Sequence, residues 1–157
     1  MDVSAFVRLF GGGDIRVKLD WQRVAEECVV EERFTCSREE LGQLCTVWYV
    51  DEFGRDAGYD YEGARPLRVS EVEITEATWP PARASMIAAL RRDYASADST
   101  VTLTLPAYLV GGEVVLLDGN HRAAAAYLAE ADTCLRLYLL SGPTDSEVLP
   151  DLGHYSS

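Results

Sequence analysis

The sequence predicts an α/β fold, a small mixed sheet with packed helices, on three observations. From Pro66 onward, patterns of strand and helix type alternate along the chain. The run Val114-Val115-Leu116-Leu117 reads as a central strand. It stops at Asp118-Gly119-Asn120, after which His121 to Ala131 contains six alanines and no helix breaker.

Taken in order, Asp20 precedes Trp21–Glu32, where Val24, Cys28 and either Trp21 or Ala25 recur at helical spacing, so an amphipathic helix is expected. Ser37 can cap a second helix, with Glu40 three residues on as in a capping box, and Leu41, Leu44 and Cys45 facing inward. Thr46–Val50 is β-branched and aromatic and ends in turn-forming residues, which predicts a strand. Trp48, Tyr49, Phe53, Tyr59 and Tyr61 can line a pocket, but aromatics so placed more often cover a core. Leu67–Ile74 then reads as a strand and Ala82–Tyr94 as a helix entered at Pro80-Pro81. Val101–Leu105 alternates with threonines as a half-buried strand does, and Gly111-Gly112 separates Ala107–Val110 from Glu113–Leu117 as a hairpin turn. Cys134–Leu140 closes the pattern as a strand. The expected organisation is an N-terminal α+β extension or lobe over 1–65, the main domain over 66–142 and a tail over 143–157.

Composition narrows the function classes. The net charge is −12, with eight basic against 14 acidic residues in 1–66 and six against 12 in 67–157. Neither part supplies the basic surface that displaces counterions from a phosphate backbone, so nucleic-acid binding is disfavoured. No apolar run is long enough to span a bilayer and the N-terminus lacks a secretory pattern, so a cytoplasmic protein without membrane insertion is expected. Cys28, Cys36, Cys45 and Cys134 form no Cys-x-x-Cys pair and have only His121 and His154 as nitrogen co-ligands, which favours ordinary buried thiols over zinc or disulfides.

The chemistry concentrates at Asp118–Arg122. A buried strand that runs straight into a helix presents unpaired backbone N–H groups and the positive end of the helix dipole, which is an anion site. Gly119 permits a tight turn and close approach of a phosphate, Asn120 opens the helix, His121 and Arg122 add donors, and Asp118 can hold a metal ion or orient a hydroxyl. The same residues also suit an ordinary turn with Asn120 or Asp118 as helix cap.

The segment Glu113–Ala125, with Asp118-Gly119-Asn120-His121-Arg122 at its centre, resembles the signature of the ParB/sulfiredoxin superfamily over roughly residues 66–142. Its members include partitioning CTPases, sulfiredoxins and free-serine kinases, so the resemblance implies nucleotide phosphate binding, ATP or CTP with Mg²⁺. Asn120 stands where sulfiredoxin needs a cysteine, and the partitioning signature is absent, so the form is most similar to the serine-kinase branch. That branch implies a catalytic base after the first strand, matched by Glu76 with Glu73 and Glu71 in reserve, and Arg83 resembles a nucleotide-contacting residue of sulfiredoxins. The expected activity is therefore a kinase acting on a small hydroxylated molecule, an amino acid for instance, with Glu76, Asp118 and His121 catalytic. Arg83, Gly119, Asn120, His121 and Arg122 would hold the nucleotide, and Asp118 the metal. The alternative is a non-catalytic ATP- or CTP-binding switch that contacts a protein partner through the N-terminal lobe; a nuclease or DNA-binding role ranks last.

Overall fold

The computed structural model describes residues 1–11, 15, 16 and 18–155. It is mixed α/β, with seven strands in one sheet of order β1-β7-β5-β6-β2-β3 and β4 paired to β2. The strands are β1 (Val29–Thr35), β2 (Cys45–Val50), β3 (Asp56–Ala57), β4 (Arg65–Arg68), β5 (Val101–Val110), β6 (Glu113–Leu116) and β7 (Thr133–Ser141). The helices are α1 (Val3–Phe10), α2 (Trp21–Glu27), α3 (Arg38–Gln43), α4 (Pro81–Ala95) and α5 (Asn120–Leu128), with 3₁₀ turns at Val69–Thr78 and Pro150–His154.

The expected alternation holds in outline and departs in four places. The helix expected over Trp21–Glu32 ends at Glu27, and Val29–Thr35 is instead a strand pairing antiparallel with β7. Propensity favours that outcome because β-branched Val29 and Val30 fit a pleated surface better than a helix. The strand expected over Leu67–Ile74 stops at Arg68. Glu71 accepts from the Arg68 backbone N–H at 3.0 Å and closes a helical turn, after which Val69, Val72 and Thr75 are buried at the period of three that a 3₁₀ helix requires. The two segments around Pro106 form one strand, β5. Pro106 sits at the end of the ladder with β6, where its carbonyl accepts from the Leu117 N–H at 2.9 Å, so only the reciprocal N–H bond of the last pair is lost.

The fourth departure concerns the cysteines. Cys28 and Cys45 are buried thiols as expected, but Cys36 and Cys134 are joined in a disulfide. Thr35 pairs with Leu135, so the next position along the ladder sets Cys36 directly against Cys134, with a Cα separation of 4.0 Å.

Segments outside 66–142 are built into the same body. Residues 1–65 contribute β1, β2 and β3 to the sheet, and Val148, Leu149 and Leu152 of the tail are buried in one core with Phe6, Ile15 and Leu19; residues 156 and 157 lie outside the described part. Arg16 donates to Asp151 at 2.7 Å and to the Leu116 carbonyl at 2.8 Å, joining the N-terminal segment and the tail to the end of β6. On the other face α5 presents Ala123, Ala124, Ala125 and Ala126, all fully buried, and these small side chains let the helix lie close against the sheet and α4.

The Cys36–Cys134 link closes a loop of 98 residues, so its reduction is expected to lower stability by about 2–4 kcal/mol. Denaturant unfolding with and without dithiothreitol, and of Cys36→Ser, measures this; equal midpoints would show that strand pairing alone fixes β1.

Candidate functional site

β2 and β6 run parallel but pair at one position only, Cys45 with Val115. Beyond it the strands part, and the signature turn occupies the opening. Asn120 is buried at the start of α5, and its side-chain oxygen accepts from the Val47 backbone N–H at 2.9 Å. That bond satisfies a strand donor that β6 leaves unpaired. Asn120 thus spends its amide oxygen on the fold, and what it presents toward a ligand is its backbone N–H.

Gly119 precedes α5 with φ +80°. A Cβ there would stand 2.3 Å from Leu105 Cδ2 and 3.0 Å from Arg122 Nη2, so glycine is required both by the left-handed backbone and by the close approach of β5. No side chain caps α5. Its first intrahelical bond runs from the Ala123 N–H to the Gly119 carbonyl at 2.9 Å, which leaves the N–H groups of Asn120, His121 and Arg122 without an intrahelical acceptor. Arg122 folds back against the turn and makes no hydrogen bond or ion pair among the described residues. Its charge is available.

His121 and Arg83 meet around Trp48. The His121 ring lies edge-on to Trp48 at 5.1 Å, and the Arg83 guanidinium sits 4.7 Å from the Trp48 ring centre. Burial holds the His121 pKa below its ordinary value; nearby Arg83 pushes it the same way, while Asp118 opposes. Arg83 donates to both oxygens of Asp56, at 2.7 and 3.4 Å, so its charge is already balanced. Asp118 is exposed at the mouth of the turn. Among the described residues no three of His, Cys, Asp and Glu gather into a metal-binding group. A hard cation bound through one carboxylate, with phosphate oxygens and water completing its shell, does not require such a group.

The structure therefore brings Asp118, Gly119, Asn120, His121, Arg122 and Arg83 to one end of the sheet. Glu76 is placed elsewhere. It is exposed on the 3₁₀ segment, in a groove shared with Trp79, Ile87, Arg91, Arg92 and Leu128, and no signature residue lines that groove. Sequence reasoning missed three contributors, Trp48 as the platform, Asp56 as the partner of Arg83, and Val47. The Asp56 pairing carried no sequence signal, since 27 residues separate it from Arg83.

Val47, whose N–H donates to Asn120, also lines a pocket of about 170 Å³ with Arg16, Lys18, Tyr59, Leu149, Pro150 and Asp151, and no residue of the turn lines it. Lys18 donates to the Tyr59 hydroxyl at 2.9 Å. A larger pocket of about 580 Å³ lies near α3 and β6, where Arg68 and Glu113 pair at 2.8 Å and neutralise one another; no residue of the Asp118–Arg122 turn lines it, so its size does not make it the site. No protein-family model, no curated protein and no solved structure matches this chain.

Two outcomes are expected. Gly119→Val should cost about 2–5 kcal/mol, because the β-branched side chain meets both a disallowed backbone and Leu105; a variant of unchanged melting behaviour would show that the turn can relax. His121 should titrate below about 6.5, its unfolded value. Since the unfolded chain then binds that proton first, stability should fall as pH drops from about 6.5 toward the folded pKa, and His121→Gln should abolish that component. Proton NMR of the imidazole and denaturation against pH read both.

Proposed function

We propose that the chain is a nucleotide-dependent phosphotransferase of the ParB/sulfiredoxin type, acting on the hydroxyl of a small molecule, an amino acid for instance. The observation that carries this reading is the uncapped N-terminus of α5, where three backbone donors and the unpaired Arg122 converge beside a left-handed glycine. Partnerless positive groups concentrated at one point of a chain of net charge −12 suit a multiply charged anion.

A bound ATP or CTP, with Mg²⁺, supplies the phosphoryl group. The N–H groups of Asn120, His121 and Arg122 donate to phosphate oxygens, and the Arg122 fork takes two of them. His121, kept neutral, offers one N–H without adding charge repulsion toward Arg83. Asp118 is the carboxylate open to the metal. Arg83, fixed by Asp56 and Trp48, positions His121. The pocket of about 170 Å³ lined by Val47 is of a size for a small acceptor, with Lys18 as its exposed cation. The acceptor hydroxyl loses its proton to a carboxylate as its oxygen bonds to phosphorus and the nucleoside diphosphate leaves. By resemblance the base is Glu76. Asp118 is the carboxylate whose charge acts on His121, and Asp56 is the acid that holds Arg83, so the role lies among these three.

A specific observation favours a second reading, a non-catalytic nucleotide-binding switch. Glu76 lies in a different groove and Asp56 is engaged by Arg83, which leaves Asp118 as the carboxylate at the turn without an ion-pair partner among the described residues. In that reading the partner meets the N-terminal segments. A nuclease or DNA-binding role ranks last on charge. No described helix is long and apolar enough to cross a membrane. A cytoplasmic setting, where thiols are held reduced, belongs to the proposal and requires that the fold tolerate Cys36 and Cys134 as thiols.

Arg122→Ala should weaken nucleotide binding by about 1.5–3 kcal/mol with the fold retained, as read by calorimetric titration; unchanged affinity would remove the Arg122 side chain from the site. Glu76→Gln should leave nucleotide affinity within about twofold. A fall in substrate-dependent nucleoside diphosphate formation of about 10²–10⁴-fold assigns the base to Glu76, and persistence moves it to Asp118 or Asp56. Absence of substrate-dependent turnover in the unaltered protein, with binding intact, selects the switch.

A further inference from the structure

The far edge of the sheet has no partner strand: β1 pairs with β7 at every position from Val29 to Thr35 and ends the strand order. Natural proteins blunt such edges with short strands, bulges, proline or charged side chains. β1 runs seven residues in unbroken register without proline, glycine or a bulge, and its only such device is charge, at Glu31, Glu32 and Arg33. The disulfide fastens one end of it to β7. The Cα separation of 4.0 Å at Cys36 and Cys134 is that of a pair not bonded to each other through the backbone. Alternation then turns the peptide groups of Val30, Glu32 and Phe34 toward the open edge.

The side chains are self-complementary. When β1 meets a second β1 antiparallel and centred on Glu32, Val30 falls opposite Phe34 of the second copy, Glu31 opposite Arg33, and Val29 opposite Thr35. Val29 and Phe34 are 66% and 62% exposed, and the side chains of Glu31, Glu32 and Arg33 make no ion pair or hydrogen bond among the described residues. Pairing therefore covers two exposed apolar side chains and gives both free charges of one face a partner, twice over by symmetry. Against it stand Glu32 opposite Glu32 and the net charge of each copy, both of which moderate salt screens.

We propose that the chain forms a homodimer through antiparallel β1–β1 pairing centred on Glu32, so that one sheet runs through both copies. The occupant of this edge is a second copy because the charge order Glu31-Glu32-Arg33 matches its own reversal at the two outer positions. The surface lies apart from the α5 turn, and the inference does not depend on the function proposed for that turn.

Sedimentation of the intact chain at moderate salt tests it. The unaltered protein is expected to dimerise. Glu31→Arg sets arginine against Arg33, and Arg33→Glu sets glutamate against Glu31, so each variant alone should dimerise at least about tenfold more weakly. An equal mixture of the two restores both opposite-charge pairs and should recover the dimer, an effect that misfolding of either variant cannot produce. Glu32→Gln removes the central repulsion and should tighten association. A protein monomeric at every concentration, including one whose edge serves a different partner, overturns the proposal, as does a dimer that both single variants keep or a mixture that stays monomeric.

Discussion

The hydrogen bond from the Val47 N–H to the Asn120 side chain holds the arrangement together. β2 belongs to the first third of the chain and β6 to the last, and their ladder is a single pair. Without Asn120, the parting of these strands would leave a buried strand donor unpaired, a penalty of about 1–3 kcal/mol. With it, the gap between two parallel strands becomes the seat of a helix N-terminus. Open α/β sheets bind ligands at such partings because strand ends and helix dipoles point into the same crevice. Gly119 makes the seat possible, since only a left-handed residue without Cβ turns the chain there beneath Leu105 and Arg122.

Electrostatics then separates used charge from available charge. Arg16 is spent on Asp151, Arg68 on Glu113, and Arg83 on Asp56. Each pairing neutralises a cation within the fold, and the Arg83–Asp56 pair does so beside the turn. Arg122 is the cation beside Gly119 that the frame does not consume. His121, half-buried against Trp48, remains neutral near pH 7 and donates without charge. The turn is thus a compact donor cluster in an acidic protein, which favours an anion held by contact geometry over one drawn in by a broad field.

The sequence announced the turn clearly because its signal is local: an apolar run, a glycine and an alanine-rich helix lie within about twenty residues. α3, α4, β6 and β7 were legible for the same reason, and Ser37 caps α3 as its spacing foretold. The rest depended on partners distant in sequence. Val29–Thr35 carries enough charge to pass for the outer face of a helix, and only its pairing with β7 decides otherwise. Val69, Val72 and Thr75 spell a period of three, which the reading of Leu67–Ile74 as a strand passes over. The disulfide was invisible until β1 and β7 were in register. Glu76 was placed by resemblance to a family pattern, and the 3₁₀ segment carries it to a different groove. Trp48 and Tyr49 do cover core, whereas Phe53 and Tyr61 of the same aromatic group are exposed.

The central claim is that the N-terminus of α5 holds a nucleotide's phosphates. Amide chemical shifts recorded during titration with Mg²⁺-ATP and Mg²⁺-CTP address it residue by residue. The account predicts that the N–H resonances of Asn120, His121 and Arg122 move first and furthest, downfield as they donate to phosphate oxygens, with Gly119 following. Saturating shifts confined to another surface, or none with either nucleotide, would contradict it.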